Sequence, residues 1–241
     1  DNECYVYDVV DILRQTVANS QVEFFERINE AYNSKNYEIF TKYKDKLLNS
    51  ILLIDEIAGF EKDSLYGTWI SKATNFYSDS RNSSTYDDYS KDMMIINAKA
   101  IVSIWSSKTL QTYAHRQYNG LEQDYSYEMW KLWLNRLEDA MQTGNFIAPS
   151  SNQDYFNIGW DVVTNDVNYS TTVKVADGNQ EYRGLNEIYL EICDGYLTGQ
   201  AQKDKIVDEN IALEGTAYAD TTLGSYAASR INDNNAGSMW I

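Results

Sequence analysis

The chain has 241 residues and a mass of 27.7 kDa, room for one large domain or one domain plus a piece of another. Its 36 acidic and 20 basic side chains leave a formal net charge of −16 and a pI near 4.4, a surface that repels nucleic-acid phosphates and anionic lipid. Apolar residues make up 43% and aromatics 14%, ample for a core, while the single histidine, His115, excludes a His-built metal centre and makes any His-based triad depend on it alone.

The first half reads as long helices. Val6, Val10, Leu13, Val17, Phe24, Ile28 and Ala31 recur mostly at spacings of three and four, which predicts one amphipathic helix. Asn33 to Asn36 breaks it, and Ser34 is the expected cap of the second helix. That helix carries a stripe of Ile39, Tyr43, Leu47, Ile51 and Ile54, and Gly59 supplies the stop. So short a connection makes the two helices antiparallel. Leu65, Trp69, Ala73 and Phe76 give a third helix, followed by a polar loop over 78–85 whose Asn82 heads a formal glycosylation sequon.

Residues 87–105 restore helical periodicity through Met93, Ile96, Ala100 and Ile104. After a break at 106–109, helix is expected to resume over 110–121. Residues 125–141 form another helix, with Trp130, Trp133 and Leu137 on one side and Gly144 at its end. Beyond Pro149 the pattern weakens. Residues 155–163 read as helix, 170–175 have a β-like composition, and 180–197 read as helix with Leu185, Ile188, Tyr189 and Ile192 inward. Residues 199–209 are polar and read as a linker. From 210 to 241, small residues, Gly turns and alternating apolar positions suit β-structure, but 32 such residues cannot bury a core alone. The expected fold is mainly α: a helical bundle domain over 1–198, then a short incomplete β-sandwich segment at the C-terminus, as if the chain were cut inside a second domain.

The longest apolar runs, Ile51 to Ile54 and Met93 to Ile96, are far below the roughly 20 residues that cross a bilayer, so no membrane insertion is expected. The N-terminal stretch DNECYVYD has neither a basic nor an apolar region of a signal peptide; an exported parent would carry its signal upstream. Cys4 and Cys193 are too few for a disulfide framework and read as two free thiols or one bridge. Acid pairs such as Asp87-Asp88 read as solvated surface, and His115 as a hydrogen-bonding surface or joint residue.

Four stretches carry a family resemblance, in family order: YDVVDILRQTVANSQVEFFERINEAYNSKN (7–36), LYGTWISKA (65–73), INAKAIVSIW (96–105) and YAHRQYNGLEQDYSYEMW (113–130). Together they resemble the C-terminal helical domain of alpha-N-acetylglucosaminidases, glycoside hydrolase family 89. The tail, through Asn210–Ala219 and Ala228–Trp240, resembles the start of a family 32 carbohydrate-binding module, a discoidin-like β-sandwich.

The resemblance implies a retaining exo-glycosidase that removes terminal alpha-linked N-acetylglucosamine, with both catalytic carboxylates on a preceding (β/α)8 barrel. A barrel of that kind takes about 250 residues by itself, and nothing here resembles one, so no catalytic residue is assigned to this chain. The family's helical domain lines one wall of the pocket, and the matching positions are Trp105, Leu110 and Tyr113. An indole or phenol face suits the C–H patch of a pyranose. The implied partners are the preceding barrel of the same parent and a glycan, in a secreted or cell-surface protein. No catalytic cofactor is implied; a structural calcium would lie at the loop around Asp233. Departures from the family pattern include Lys99 for Arg, Met129 for Arg, Ser106 for Gly, Thr112 for Asp and His115 for Asn. A non-catalytic helical binding or adhesion domain is the alternative reading.

Overall fold

A computed structural model describes residues 3–79, 88–105, 113–114, 116–174 and 184–197. Chain contacts define one compact unit, Asp1–Thr198, and a second, Gly199–Ile241. The linker, the tail and Asp233 lie outside the described residues, as do Asn82, Asp87, Ser106, Leu110, Thr112 and His115.

Seven α-helices form the described part: α1 (Glu3–Asn33), α2 (Tyr37–Ala58), α3 (Tyr66–Asp79), α4 (Asp88–Ile101), α5 (Tyr127–Thr143), α6 (Phe156–Thr164) and α7 (Leu185–Gly195). The first two run antiparallel, as their short connection requires. Val10, Leu13 and Val17 of α1 meet Leu53, Ile54 and Ile57 near the end of α2. Phe24, Ile28 and Ala31 meet Phe40, Leu47 and Leu48 near its beginning. Each such burial is worth roughly 1.5–3 kcal/mol, so this hairpin is the stability base of the domain. The inward face of α7, Ile188 and Ile192, closes one end of it, and Leu134 and Leu137 of α5 cover the other. Lys44 of α2 ties to α5 through Glu138 at 2.6 Å and Asn135 at 2.7 Å.

A second cluster gathers α3, α4, α5 and α6. Tyr66, Val102, Leu121, Tyr125, Val162 and Tyr169 form its centre, with Ala100, Ile104 and Val163 beside it. Gly67, at the start of α3, lies against the backbone of 169–170; a Cβ there would overlap the carbonyl oxygens of Tyr169 and Ser170. This close approach anchors the 165–174 segment to α3.

Several expectations are corrected. Asn36, not Ser34, caps α2 by accepting the Ile39 N–H at 3.1 Å; the Ser34 hydroxyl donates backward to the Glu30 carbonyl. The chain reverses at Lys35, which has φ 55°. Residues 116–120 are not helical: Asn119 exchanges backbone bonds with Ser64 and Tyr66 in an isolated parallel bridge, which ties that stretch to the start of α3. The following helix begins with a π-type turn, Glu122–Ser126. Residues 170–174 form no strand, because their backbone faces α3 and Gly59 rather than another strand. Tyr189 is exposed rather than inward, since Ile188 and Ile192, one helical turn apart, already define the buried side of α7. Neither Cys4 nor Cys193 is in a disulfide. Among the described residues, no helix is long and apolar enough to cross a membrane.

Candidate functional site

Periodicity alone carries helix α4 to residue 105; the helix ends at Ile101, and residues 102–105 form a tight turn. The cause is tertiary. Three buried or half-buried aromatic donors reach carbonyls at and just beyond the helix C-terminus, and the Ser103 hydroxyl adds a bond to the Lys99 carbonyl at 2.8 Å. The Trp69 indole donates to the Ala98 carbonyl at 2.7 Å, the Tyr66 hydroxyl to that of Lys99 at 3.5 Å, and the Tyr125 hydroxyl to that of Ser103 at 3.3 Å. The Trp105 N–H turns back to the Ala100 carbonyl at 2.7 Å.

That turn puts Trp105 at φ 49°, in the left-handed region, where a bulky side chain costs roughly 1–3 kcal/mol. The strain is sustained by the residue before it: Ile104 is buried against Ala100, Val163 and Gly159. The Trp105 side chain thereby faces outward. Its ring lies 5.1 Å from that of Tyr113, tilted by 57°. Trp105 is 38% exposed and Tyr113 70% exposed. Two of the three sequence-derived wall residues are thus together and accessible; the third, Leu110, lies outside the described residues.

The aromatic pair terminates a longer feature. Met93, Asn97 and Ile101 recur every four residues and are exposed on one side of α4, and Trp105, in the turn beyond it, is exposed as well. Ala98 and Ala100 of α4, and Val102 and Ile104 of the turn, are buried. Solvent-facing Met93, Ile101 and Trp105, with Asn97 among them, give an exposed flank that is largely apolar.

Behind this flank lies a polar network. Lys99 is buried, and its ammonium donates to both the backbone oxygen (2.7 Å) and the side-chain oxygen (2.9 Å) of Asn165. The lysine that replaces the family arginine therefore still makes a two-point contact. Asn165 donates to the Tyr169 hydroxyl, which donates to Asp124 at 2.7 Å. Burial lowers the Lys99 pKa, while burial and the Asp124 carboxylate raise that of Tyr169. A cavity of about 770 Å³ opens between α3, α4 and the 163–171 segment, lined by Lys91, Asp92, Lys99, Asn165 and Asp166 among others. Another, of about 600 Å³, presents Asp124, Glu128 and Asp161. Among the described residues, no group of three or more His, Cys, Asp or Glu side chains could hold a metal.

Of the Trp130, Trp133 and Leu137 stripe, only Leu137 is fully in the core. Trp133 is half-buried and stacks on Phe25 at 5.7 Å; Trp130 is exposed at the edge of that trio. Met129 takes an apolar place against the second cluster. Sequence reasoning missed Tyr66, Tyr125 and Gly159 as supports of the α4 turn. The stripes read for these helices, Leu65, Trp69, Ala73 and Phe76 and then Trp130, Trp133 and Leu137, pass over both tyrosines, and no local signal names the carbonyl each one finds.

The family model for the Alpha-N-acetylglucosaminidase (NAGLU) C-terminal domain matches residues 1–189. Alpha-N-acetylglucosaminidase of Homo sapiens is 24% identical over 140 residues, 57% of this chain and 18% of the human protein. A family 89 glycoside hydrolase from Clostridium perfringens, solved with 2-acetamido-1,2-dideoxynojirmycin, superposes with a TM-score of 0.68 at 31% identity, covering 82% of this chain and 22% of that one. The Clostridium perfringens protein with two glutamates changed to glutamine, solved with its substrate GlcNAc-alpha-1,4-galactose, gives 0.69 at 30% identity, covering 84% and 22%. This chain thus spans about a fifth of the length of the relatives it matches. With a matched family model over most of its length, and the helical architecture that the family implies, the chain belongs to the C-terminal domain family of the alpha-N-acetylglucosaminidases.

Proposed function

We propose that this chain is the helical C-terminal part of a retaining exo-glycosidase that hydrolyses terminal alpha-linked N-acetylglucosamine from glycoconjugates. In that reading a preceding barrel of the same parent supplies both carboxylates, one to protonate the leaving oxygen and one to attack the anomeric carbon. The helical domain buttresses the barrel and lends one wall to the pocket through Trp105, Leu110 and Tyr113. The observation that carries this reading is the exposed apolar Met93 and Ile101 of α4, followed by the exposed aromatic pair of Trp105 and Tyr113. An indole so presented offers a flat apolar face to a sugar, and the Tyr113 hydroxyl offers a hydrogen bond. The GlcNAc-alpha-1,4-galactose bound by the Clostridium perfringens relative supports the sugar class.

The 210–241 tail fits this reading as the opening of a family 32 carbohydrate-binding module. Its Asp233 loop would contribute oxygen ligands to a structural calcium, and the parent would be a secreted or cell-surface bacterial protein. The net charge of −16 argues against nucleic acid as a partner.

The test is Trp105→Ala in the intact parent enzyme, assayed on a chromogenic alpha-N-acetylglucosaminide. Loss of most activity with an unchanged unfolding transition supports the wall; wild-type kinetics sinks it. The 241-residue chain alone is expected to release no chromophore, and measurable turnover by pure material would overturn the barrel assignment.

A further inference from the structure

Trp105 is held in a backbone conformation that its own side chain disfavours, so something outside the turn must hold it there. Two residues far away in sequence converge on the turn. Gly159 of α6 lies directly against Ile104: a Cβ at position 159 would overlap Ile104 Cγ2 and come to 3.0 Å from Tyr125 Cε2. The Ile104 atom concerned sits on a branched Cβ, one bond from the backbone, so it cannot swing aside as the end of a long chain could. Tyr125, 3% exposed, wedges its ring into the same contact and donates its hydroxyl to the Ser103 carbonyl. Gly159 thus sets how deeply Ile104 sinks, Tyr125 fixes the peptide two residues before Trp105, and the Trp105 N–H closes onto Ala100.

We infer that Gly159 and Tyr125 are positioning residues that fix the orientation of the Trp105 indole. Neither need touch the sugar. The inference rests on the proposed pocket wall only for its catalytic consequence; the geometric part stands by itself. Ile104 is the coupling element, because it is buried and adjacent to Trp105, and an interior at crystal-like density transmits a displacement rather than absorbing it.

The test labels the intact parent enzyme with fluorotryptophan and follows the fluorine NMR resonance of Trp105, assigned by its loss in Trp105→Phe. Gly159→Ala is expected to move that resonance while those of Trp130 and Trp133 stay in place. Adding Ile104→Ala to it makes room for the new methyl group and is expected to bring the resonance back toward its wild-type position. Tyr125→Phe deletes only the hydroxyl and gives the same readout should Gly159→Ala fail to fold. An unmoved Trp105 resonance in a folded variant overturns the inference, as do shifts spread evenly over all the tryptophans. In parallel, kcat/KM on the chromogenic glycoside is expected to fall roughly ten- to a hundred-fold in Gly159→Ala. A displaced Trp105 resonance with wild-type kinetics keeps the positioning role and refutes the wall, so the two failures are distinguishable.

Discussion

The carboxylate of Asp55, on α2, accepts the backbone N–H of Gly120 at 2.6 Å, sixty-five residues away in sequence. The same side chain accepts the Gln123 N–H at 3.2 Å and the Asn119 amide at 2.8 Å. The first N–H groups of the helix leading into α5 are therefore capped by a different helix, not by a residue of their own segment. This staple joins the α1–α2 hairpin to the segment that carries Tyr125. Asp55→Ala leaves these donors buried without an acceptor and is expected to cost roughly 2–4 kcal/mol by chemical denaturation. A loss under about 0.5 kcal/mol would mean that water replaces the cap.

Asp55 has a second consequence, in pH. Burial raises its pKa from 3.8 to about 6, against the lowering effect of the Gly120 and Gln123 N–H bonds. Burial likewise raises Glu122 from 4.5 to about 8, with the Asp55 charge adding to it and the Ser126 hydrogen bond opposing it. Both groups bind protons more tightly folded than unfolded. Their stabilising protonation is complete below the unfolded values and is lost as pH rises through about 6 and then about 8. The melting temperature is expected to decline from about pH 4 to about pH 8 in two stages, the steeper up to about pH 6, where both groups contribute, and the shallower from there to about pH 8, where Glu122 alone does. Asp55→Asn should remove the lower step and Glu122→Gln the upper; a flat profile in the wild type would contradict both assignments.

Trp105→Gly separates stability from function. Relief of the left-handed strain offsets the lost aromatic contact with Tyr113, worth about 0.5–1.5 kcal/mol, and the added backbone freedom of glycine. The net change in unfolding free energy is expected to stay within about 1 kcal/mol, while activity of the intact parent falls with the loss of the indole. A residue that merely filled the core would cost about 3–5 kcal/mol instead.

Gly67→Ala is expected to destabilise by at least roughly 1–3 kcal/mol, because its methyl group would meet the backbone oxygens of Tyr169 and Ser170 rather than a yielding side chain. The 165–174 segment should detach first, visible as faster amide exchange at Lys174, whose N–H bonds to the Gly59 carbonyl at 2.8 Å.

Lys99→Met keeps the aliphatic stem and removes the ammonium, leaving both Asn165 oxygens without that donor. Calorimetry is expected to register a loss of about 1–3 kcal/mol. Lys99→Arg, the family residue, should retain most of the stability if the space beside the Tyr169 ring admits a planar fork.

The elements legible in the sequence are those whose cause is local spacing. The α1 stripe from Val10 to Ala31 and the α2 stripe from Leu47 to Ile54 are buried as their periods require. The short link between them fixed their antiparallel pairing, and the four motif stretches carried the family resemblance. Trp105, Leu110 and Tyr113 entered only through the family resemblance; the contact between the Trp105 and Tyr113 rings was not legible. What failed was local extrapolation through long-range constraint. Residues 116–120 read as helix, yet Ser64, Tyr66 and Asp55 each bond to that stretch.

The order of residues is thus enough to name the apolar faces of the main helices, because burial repays residues spaced at the helical period wherever the partner lies. The folded chain alone decided where α4 stops, how Trp105 is turned outward and which carboxylate caps the start of α5. Those outcomes depend on donors and acceptors brought together across 22 to 68 residues of chain, from Tyr125 to Ser103 and from Asp55 to Gln123. A buried carbonyl or N–H must find a partner, and only the folded arrangement settles which one is within reach.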